Sequence, residues 1–299
     1  MGLITIDGLQ EGDILLMLGD GPLSDLIAWA SDGPYSHAAL VVDGGDLLEA
    51  SFAGVRRAPL RDRVKELAHY HFIDAWRPHD AGGQPWGTAD RALGRERAER
   101  MLGAPYPVDQ LALFGAVMAV RGKWPKHPLL RKLVRIALDR ALPSESPALV
   151  CSEVVYRAWA ECDAAPRGRM ALPIIEGERG DAPFPAIDWQ RLYDEIGPLL
   201  FPAPEGEALR GAAPADVGAL LGSADEVPDE VLDEARRRLL GATAGQARLR
   251  SAGTASAGAS VAPNPRLVSP QDLANSPGTT LLGRLMQREQ GGAASGAVG

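Results

Sequence analysis

The chain has 299 residues, 45% of them hydrophobic, enough to build one large or two modest cores. Its net charge of −8 speaks against general nucleic-acid binding. Two cysteines in such a length exclude a disulfide-stapled scaffold and suit a reducing compartment.

Met1 to Asp7 carries neither a basic n-region nor a long apolar h-region, so no secretory signal is visible. Cytoplasm is the expected location, with peripheral membrane association or signal-independent export as alternatives. Asp13 to Leu18 reads as a short buried strand after a Gly12-Asp13 turn, and Pro22 to Ala30 as a helix with proline in its first turn. Tyr35-Ser36-His37 opens the next strand. Asp43-Gly44-Gly45 is a turn signal between two apolar runs, so residues 36–43 and 46–52 are predicted to form a β-hairpin. Its register carries a structural claim. With a three-residue loop at 43–45, Ala39 faces Glu49 and His37 faces Ser51, which puts His37 and Glu49 diagonally on one face. A two-residue loop would put them on opposite faces.

Farther on, Pro59 to Leu67 reads as a short charged helix, His69 to Trp76 as a strand, and residues 88–102 as a charged helix with a solvated face. His69 and His71 are two apart on that strand, a spacing that suits metal ligation, but no further ligand stands nearby. A structural or surface role is favoured for them. Leu111 to Val120 is an apolar run too short to cross a bilayer. Residues 121–140 then hold seven cations against the single Asp139, a local +6. Leu129, Leu130, Leu133, Val134, Ala137 and Leu138 recur at helical spacing there, giving a basic amphipathic helix with Trp124 just before it. Such a helix either lies on an anionic membrane surface or packs its stripe on the core.

Val150 to Tyr156 reads as a helix with Cys151 in its first turn. A thiol there meets the partial positive charge of unpaired backbone N–H groups, which favours the thiolate. A nearby imidazole completes an activated nucleophile, and a carboxylate on the imidazole holds its orientation. Each group alone has a plainer reading: Cys151 as inert core, His37 as a structural histidine, Glu49 as the solvent face of a hairpin. Cys162 lies eleven residues after Cys151, about 16 Å along an intact helix, too far for a disulfide, and is read as packing. Beyond it, residues 166–228 are rich in proline and glycine, with Ile187 to Ile196 as a helical island, and Val227 to Leu240 reads as an exposed helix. Ser251 to Pro263 and Gly291 to Gly299 are expected to be disordered.

Gly12-Asp13, Ser36-His37, Glu49 twelve positions on, Gly103-Ala104-Pro105-Tyr106 and Cys151-Ser152-Glu153 stand in an order that resembles the circularly permuted NlpC-like papain-fold hydrolases. The YiiX-type branch is nearest, with lecithin:retinol acyltransferase-like enzymes as cousins. The likeness covers roughly residues 10–162, with Ser269 to Leu273 as a further piece. It implies an α+β, papain-like fold in which the cysteine helix follows the histidine hairpin, with a small antiparallel sheet packed on helices. It also implies Cys151 as nucleophile, His37 as base and Glu49 as the orienting residue.

On this reading residues 1–165 form the catalytic core, 107–148 a basic helical insertion or lid, 166–268 a Pro/Gly-rich insertion with short helices, 269–290 a closing element, and 291–299 a disordered tail. No GxSxG elbow, phosphate loop or HExxH motif appears, and no cofactor or metal is expected. The expected activity is a cysteine-dependent hydrolase or acyltransferase acting on an amide or ester through a Cys151 thioester. A lipid or membrane-surface substrate, docked through residues 107–140, is slightly favoured. A peptidoglycan-type amidase or endopeptidase and an inactive papain-like binding module are the alternatives, and nucleic acid is not an expected partner.

Overall fold

A computed structural model describes residues 2–51, 54–66, 68–104, 110–122, 124–141, 150–175, 182–200, 227–251 and 263–288. The tail at 291–299, nearly all of the 251–263 stretch, and Pro105 and Tyr106 of the sequence motif lie outside them. The architecture is α+β. Six strands, β1 (Ile14–Gly19), β2 (His37–Val41), β3 (Asp46–Ser51), β4 (Gly54–Pro59), β5 (Tyr70–Pro78) and β6 (Thr279–Gln287), form one sheet in the order β4-β3-β2-β1-β5-β6. Every neighbouring pair is antiparallel.

The apolar run Ile14-Leu15-Leu16-Met17 lies at the centre of the sheet because both its faces are covered, so apolar residues need not alternate with polar ones. Ile14 and Leu16 share the helix-covered face with Ala38, Leu40, Leu48 and Ala50. Leu15 and Met17 join Ala39, Val41, Leu47, Ile73 and Ala75 in a second cluster, closed by Leu60 and by Ile4, Ile6 and Leu9 of the N-terminal segment. On the first face pack α1 (Pro22–Ala30), which has the predicted bounds, and α6 (Cys151–Ala160), which lies on β2 and β3. Around them stand α3 (Thr88–Glu99), α4 (Gln110–Arg121), α5 (Pro128–Ala141), α7 (Trp189–Leu200), α8 (Asp229–Ser251) and α9 (Pro270–Asn275).

Two local expectations differ from the structure, and one strand had no expectation of its own. The helix expected over 59–67 shrinks to α2 (Leu60–Arg63), and residues 54–59, which carry two arginines and end in proline, form edge strand β4. Pairing along β3 overrides their weak strand propensity. Residues 279–287 pair with β5 as β6, although Gly283 and Arg284 interrupt any alternation. Helix α8 continues past Leu240 to Ser251. The basic helix α5 is present, and Leu130, Leu133, Val134, Ala137 and Leu138 of its apolar stripe are buried in the core. Arg131 is buried too, donating to the Val227 and Pro125 carbonyls and pairing with Asp229 of α8. No helix among the described residues is long and apolar enough to cross a membrane.

Candidate active site

The hairpin turns through a short 3-10 stretch at Asp43–Gly45, with Gly44 at φ 70° and Gly45 at φ 78°. Left-handed backbone of this kind favours glycine. The pairs Leu40↔Leu48 and Val41↔Leu47 set the register, and its continuation puts Ala39 opposite Glu49 and His37 opposite Ser51. His37 and Glu49 therefore meet as diagonal neighbours across the hairpin, and His37 Nε2 lies 3.2 Å from Glu49 Oε2.

With Nε2 engaged by the carboxylate, Nδ1 is the ring nitrogen left for a second partner, and Cys151 is the group whose charge raises the imidazole pKa most. Burial alone would lower the His37 pKa. The charge and hydrogen bond of Cys151, followed by the hydrogen bond to Glu49, overcome this and hold it well above its ordinary 6.5. Glu49 is 1% exposed. Burial would raise its pKa, yet the hydrogen bond and charge of His37 and the cations Arg63 and Arg56 keep it below the ordinary carboxylate value. A buried carboxylate thus remains ionised against the imidazole.

These shifts give the fold a pH signature. Glu49 contributes stability that is fully present above its ordinary 4.5 and is lost as pH falls through its lowered folded value. His37 contributes stability that is fully present below 6.5 and is lost as pH rises through its raised folded value. Both contributions are complete between those two pH values. The urea-midpoint difference between wild type and Glu49→Gln is expected to be largest in that window and to shrink toward acid and toward alkali. A difference independent of pH would disprove the coupling.

The motif residues around these groups do structural work. Gly12 (φ 90°) leaves room for Trp159 of α6, which a Cβ there would meet at 2.8 Å. Asp13 is buried and clamps β1 to β5 through a two-point pair with Arg77, at 2.8 and 2.7 Å. Ser36 Oγ accepts from the Gly19 N–H at 2.9 Å and so ties the start of β2 to the end of β1. Gly103 and Ala104 exchange backbone bonds with Val55 of β4.

At the cysteine helix, Glu153 accepts from the Val150 N–H at 3.3 Å and pairs with Arg157, half of the reciprocal arrangement that caps a helix start. Burial pushes its pKa up against the pull of Arg157 and Arg266. Ser152 Oγ donates to the Val268 carbonyl at 2.6 Å, anchoring Cys151 to the 263–269 segment. That segment runs into α9, where Ser269 and Asp272 form a full capping box and Asp272 pairs with Arg121 of α4 at 3.1 Å. Cys151 itself is 1% exposed.

Cys162 lies beyond the end of α6, buried, with Sγ 3.3 Å from the Trp159 carbonyl, and burial pushes its thiol pKa up. Both cysteines are free. His71 meets Arg288 and Asp20 rather than His69. Among the described residues, no group of three or more His, Cys, Asp or Glu side chains is arranged to hold a metal ion.

Sequence reasoning missed Arg56, Arg63 and Tyr70. Arg56 donates to Glu49 Oε1 at 3.2 Å, Arg63 bonds the same oxygen, and the Tyr70 ring stacks on His37 at 28° with centroids 6.4 Å apart. Arg56 was hidden by the unrecognised edge strand, while Arg63 and Tyr70 reach the site only through tertiary folding.

No family model matches this chain, and no curated protein matches it. Among solved structures, the chain is similar to the metalloprotein YiiX from Escherichia coli O157:H7, with a TM-score of 0.42 and 16% sequence identity over 93% of this chain and 98% of that one.

Proposed function

We propose that the protein is a cysteine-dependent hydrolase or acyltransferase acting on an amide or ester bond, built on a permuted papain-type core. The reading rests on one observation above all: a largely shielded imidazole that meets a buried carboxylate through Nε2, with the charge of Cys151 acting on the same ring. The motif order, histidine hairpin first and cysteine helix second, supports the permuted family assignment and its acyltransferase cousins.

In this mechanism His37 takes the Cys151 proton, and the thiolate attacks the carbonyl carbon. Glu49 stabilises the imidazolium. The Cys151 backbone N–H at the helix start donates to the developing oxyanion. The imidazolium then protonates the departing amine or alcohol, leaving a thioester on Cys151. His37 next deprotonates water, or an acceptor hydroxyl or amine, which attacks the thioester carbonyl and releases the thiolate.

Burial of the α5 apolar stripe removes the main argument for a lipid surface. A lipid substrate now draws support only from the cations in and beside α5, such as Lys126, which is exposed just before the helix. The amide-or-ester class is the level the site supports, and peptidoglycan-type peptides fall within it.

Iodoacetamide labelling near pH 7, resolved by mass spectrometry, tests the reading. Cys151 is expected to alkylate at least about tenfold faster than Cys162, and His37→Ala is expected to erase the difference. Slow and equal labelling of both thiols would sink the proposal and favour a non-enzymatic binding module.

A further inference from the structure

The carboxylate beside His37 is held from behind. Arg56 stands directly opposite Glu49 in the β3–β4 ladder and is 48% exposed, whereas Arg63 at the end of α2 is buried. Arg63 bonds Glu49 Oε1 through Nη2, and its Nη1 bonds Glu66 at 2.5 Å. Its guanidinium carbon also lies 5.5 Å from the centroid of the Tyr70 ring, the ring that stacks on His37. One planar cation therefore touches two of the groups that meet the imidazole.

We propose that Arg63 is a positioning residue of the site: by fixing Glu49 Oε1 it aims Oε2 at His37 Nε2, and through Tyr70 it sets the plane of the imidazole. The proposal rests on the reading of Cys151, His37 and Glu49 as the acting groups. The physical reason lies in the carboxylate's last torsion, which is broad and roughly two-fold and does not choose an orientation by itself. A guanidinium imposes one, because its donors sit in a rigid fork, whereas a lysine ammonium is a point charge that leaves the torsion free. Charge alone predicts the opposite consequence. A cation near an imidazolium repels it, so a purely electrostatic Arg63 would depress His37, while a positioning Arg63 sustains the hydrogen bond that raises it. The charged and titratable groups around the pair are Cys151 from α6, Arg56 from β4, Arg63 from α2 and Tyr70 from β5, with Glu66 on the far side of Arg63.

The test follows His37 by NMR titration of its imidazole and Cys151 by iodoacetamide alkylation across pH 4 to 9. The proteins compared are wild type, Arg63→Lys, Arg63→Met, Glu49→Gln and the Arg63→Met/Glu49→Gln double variant. Arg63→Met is expected to lower the His37 pKa toward its ordinary value and to slow neutral-pH alkylation about tenfold, with Arg63→Lys falling on the same side. The double variant is expected to fall well short of the product of the two single effects, because Arg63 acts mainly through Glu49 and only the part carried by Tyr70 remains once Glu49 is replaced. A rise in the His37 pKa, no change, or effects that simply multiply in the double variant would overturn the proposal.

Failure of the functional reading looks different: wild-type Cys151 would alkylate no faster than Cys162. The His37 titration would still decide the role of Arg63 in that case. Arg63→Lys keeps the buried charge paired and supplies the answer if Arg63→Met does not fold.

Discussion

Cys151→Ala is expected to abolish turnover of any amide or ester substrate, with a loss of about 10³-fold or more, while leaving the fold intact. The replacement removes a sulfur from a buried site on α6 without disturbing the Ser152 and Glu153 contacts that anchor the helix. Its thermal midpoint is expected to stay within a few degrees of wild type. The measurement is hydrolysis of phospholipid vesicles and of peptidoglycan-type peptides by wild type and variant in parallel. Cys151-dependent release of fatty acid identifies a lipid acyl hydrolase and gives the polar side of α5 a docking role. Cys151-dependent peptide cleavage makes α5 a structural helix. Turnover that persists in Cys151→Ala excludes the thioester route. Glu49→Gln is expected to fall between wild type and Cys151→Ala, at about 10²-fold below wild type, because it retains a hydrogen-bonding group but loses the charge that stabilises imidazolium.

The largest stability effect is expected at Gly115, where α4 and α5 come together. A Cβ there would lie 2.1 Å from the Ala137 carbonyl oxygen and 2.4 Å from its carbon, both backbone atoms that cannot rotate away. Gly115→Ala therefore forces the two helices apart and reopens contacts in a stripe that is buried throughout its described length. The cost is expected to reach about 3 kcal/mol, the upper part of the usual range for overpacked cores. That corresponds to a fall in thermal midpoint of about 5 °C for a chain of this size. Gly94 on α3 supplies the control. A Cβ there meets nothing closer than 3.7 Å, so Gly94→Ala is expected to stabilise the protein by about 0.5–1 kcal/mol through helix propensity alone. Thermal and urea unfolding of the two variants check the contrast. Equal, small effects would mean that α4 and α5 are not in backbone contact.

Much of the local structure was legible without coordinates. Helix α1 follows from proline in its first turn and the apolar spacing after it. The hairpin follows from Asp43-Gly44-Gly45, and with it the shared face of His37 and Glu49, because strand side chains alternate with period two and one loop length fixes every pairing beyond it. The start of α6 at Cys151 was legible from the apolar helix that follows it.

Other features had no local signal. Strands β4 and β6 are poor in strand-forming pattern and are ordered by the neighbours they pair with. The burial of α5's stripe was undecidable from periodicity, because an amphipathic helix shows the same pattern whether its apolar face meets lipid or another helix. The approach of Cys151 to His37, more than a hundred residues away, and the gathering of Arg56, Arg63 and Tyr70 around Glu49 were decided by tertiary structure alone. Hydrogen bonds and ion pairs are specified by positions in space. A sequence announces those positions only where the backbone's own period brings residues together, as it does for His37 and Glu49 across a hairpin and does not for an arginine delivered by another element.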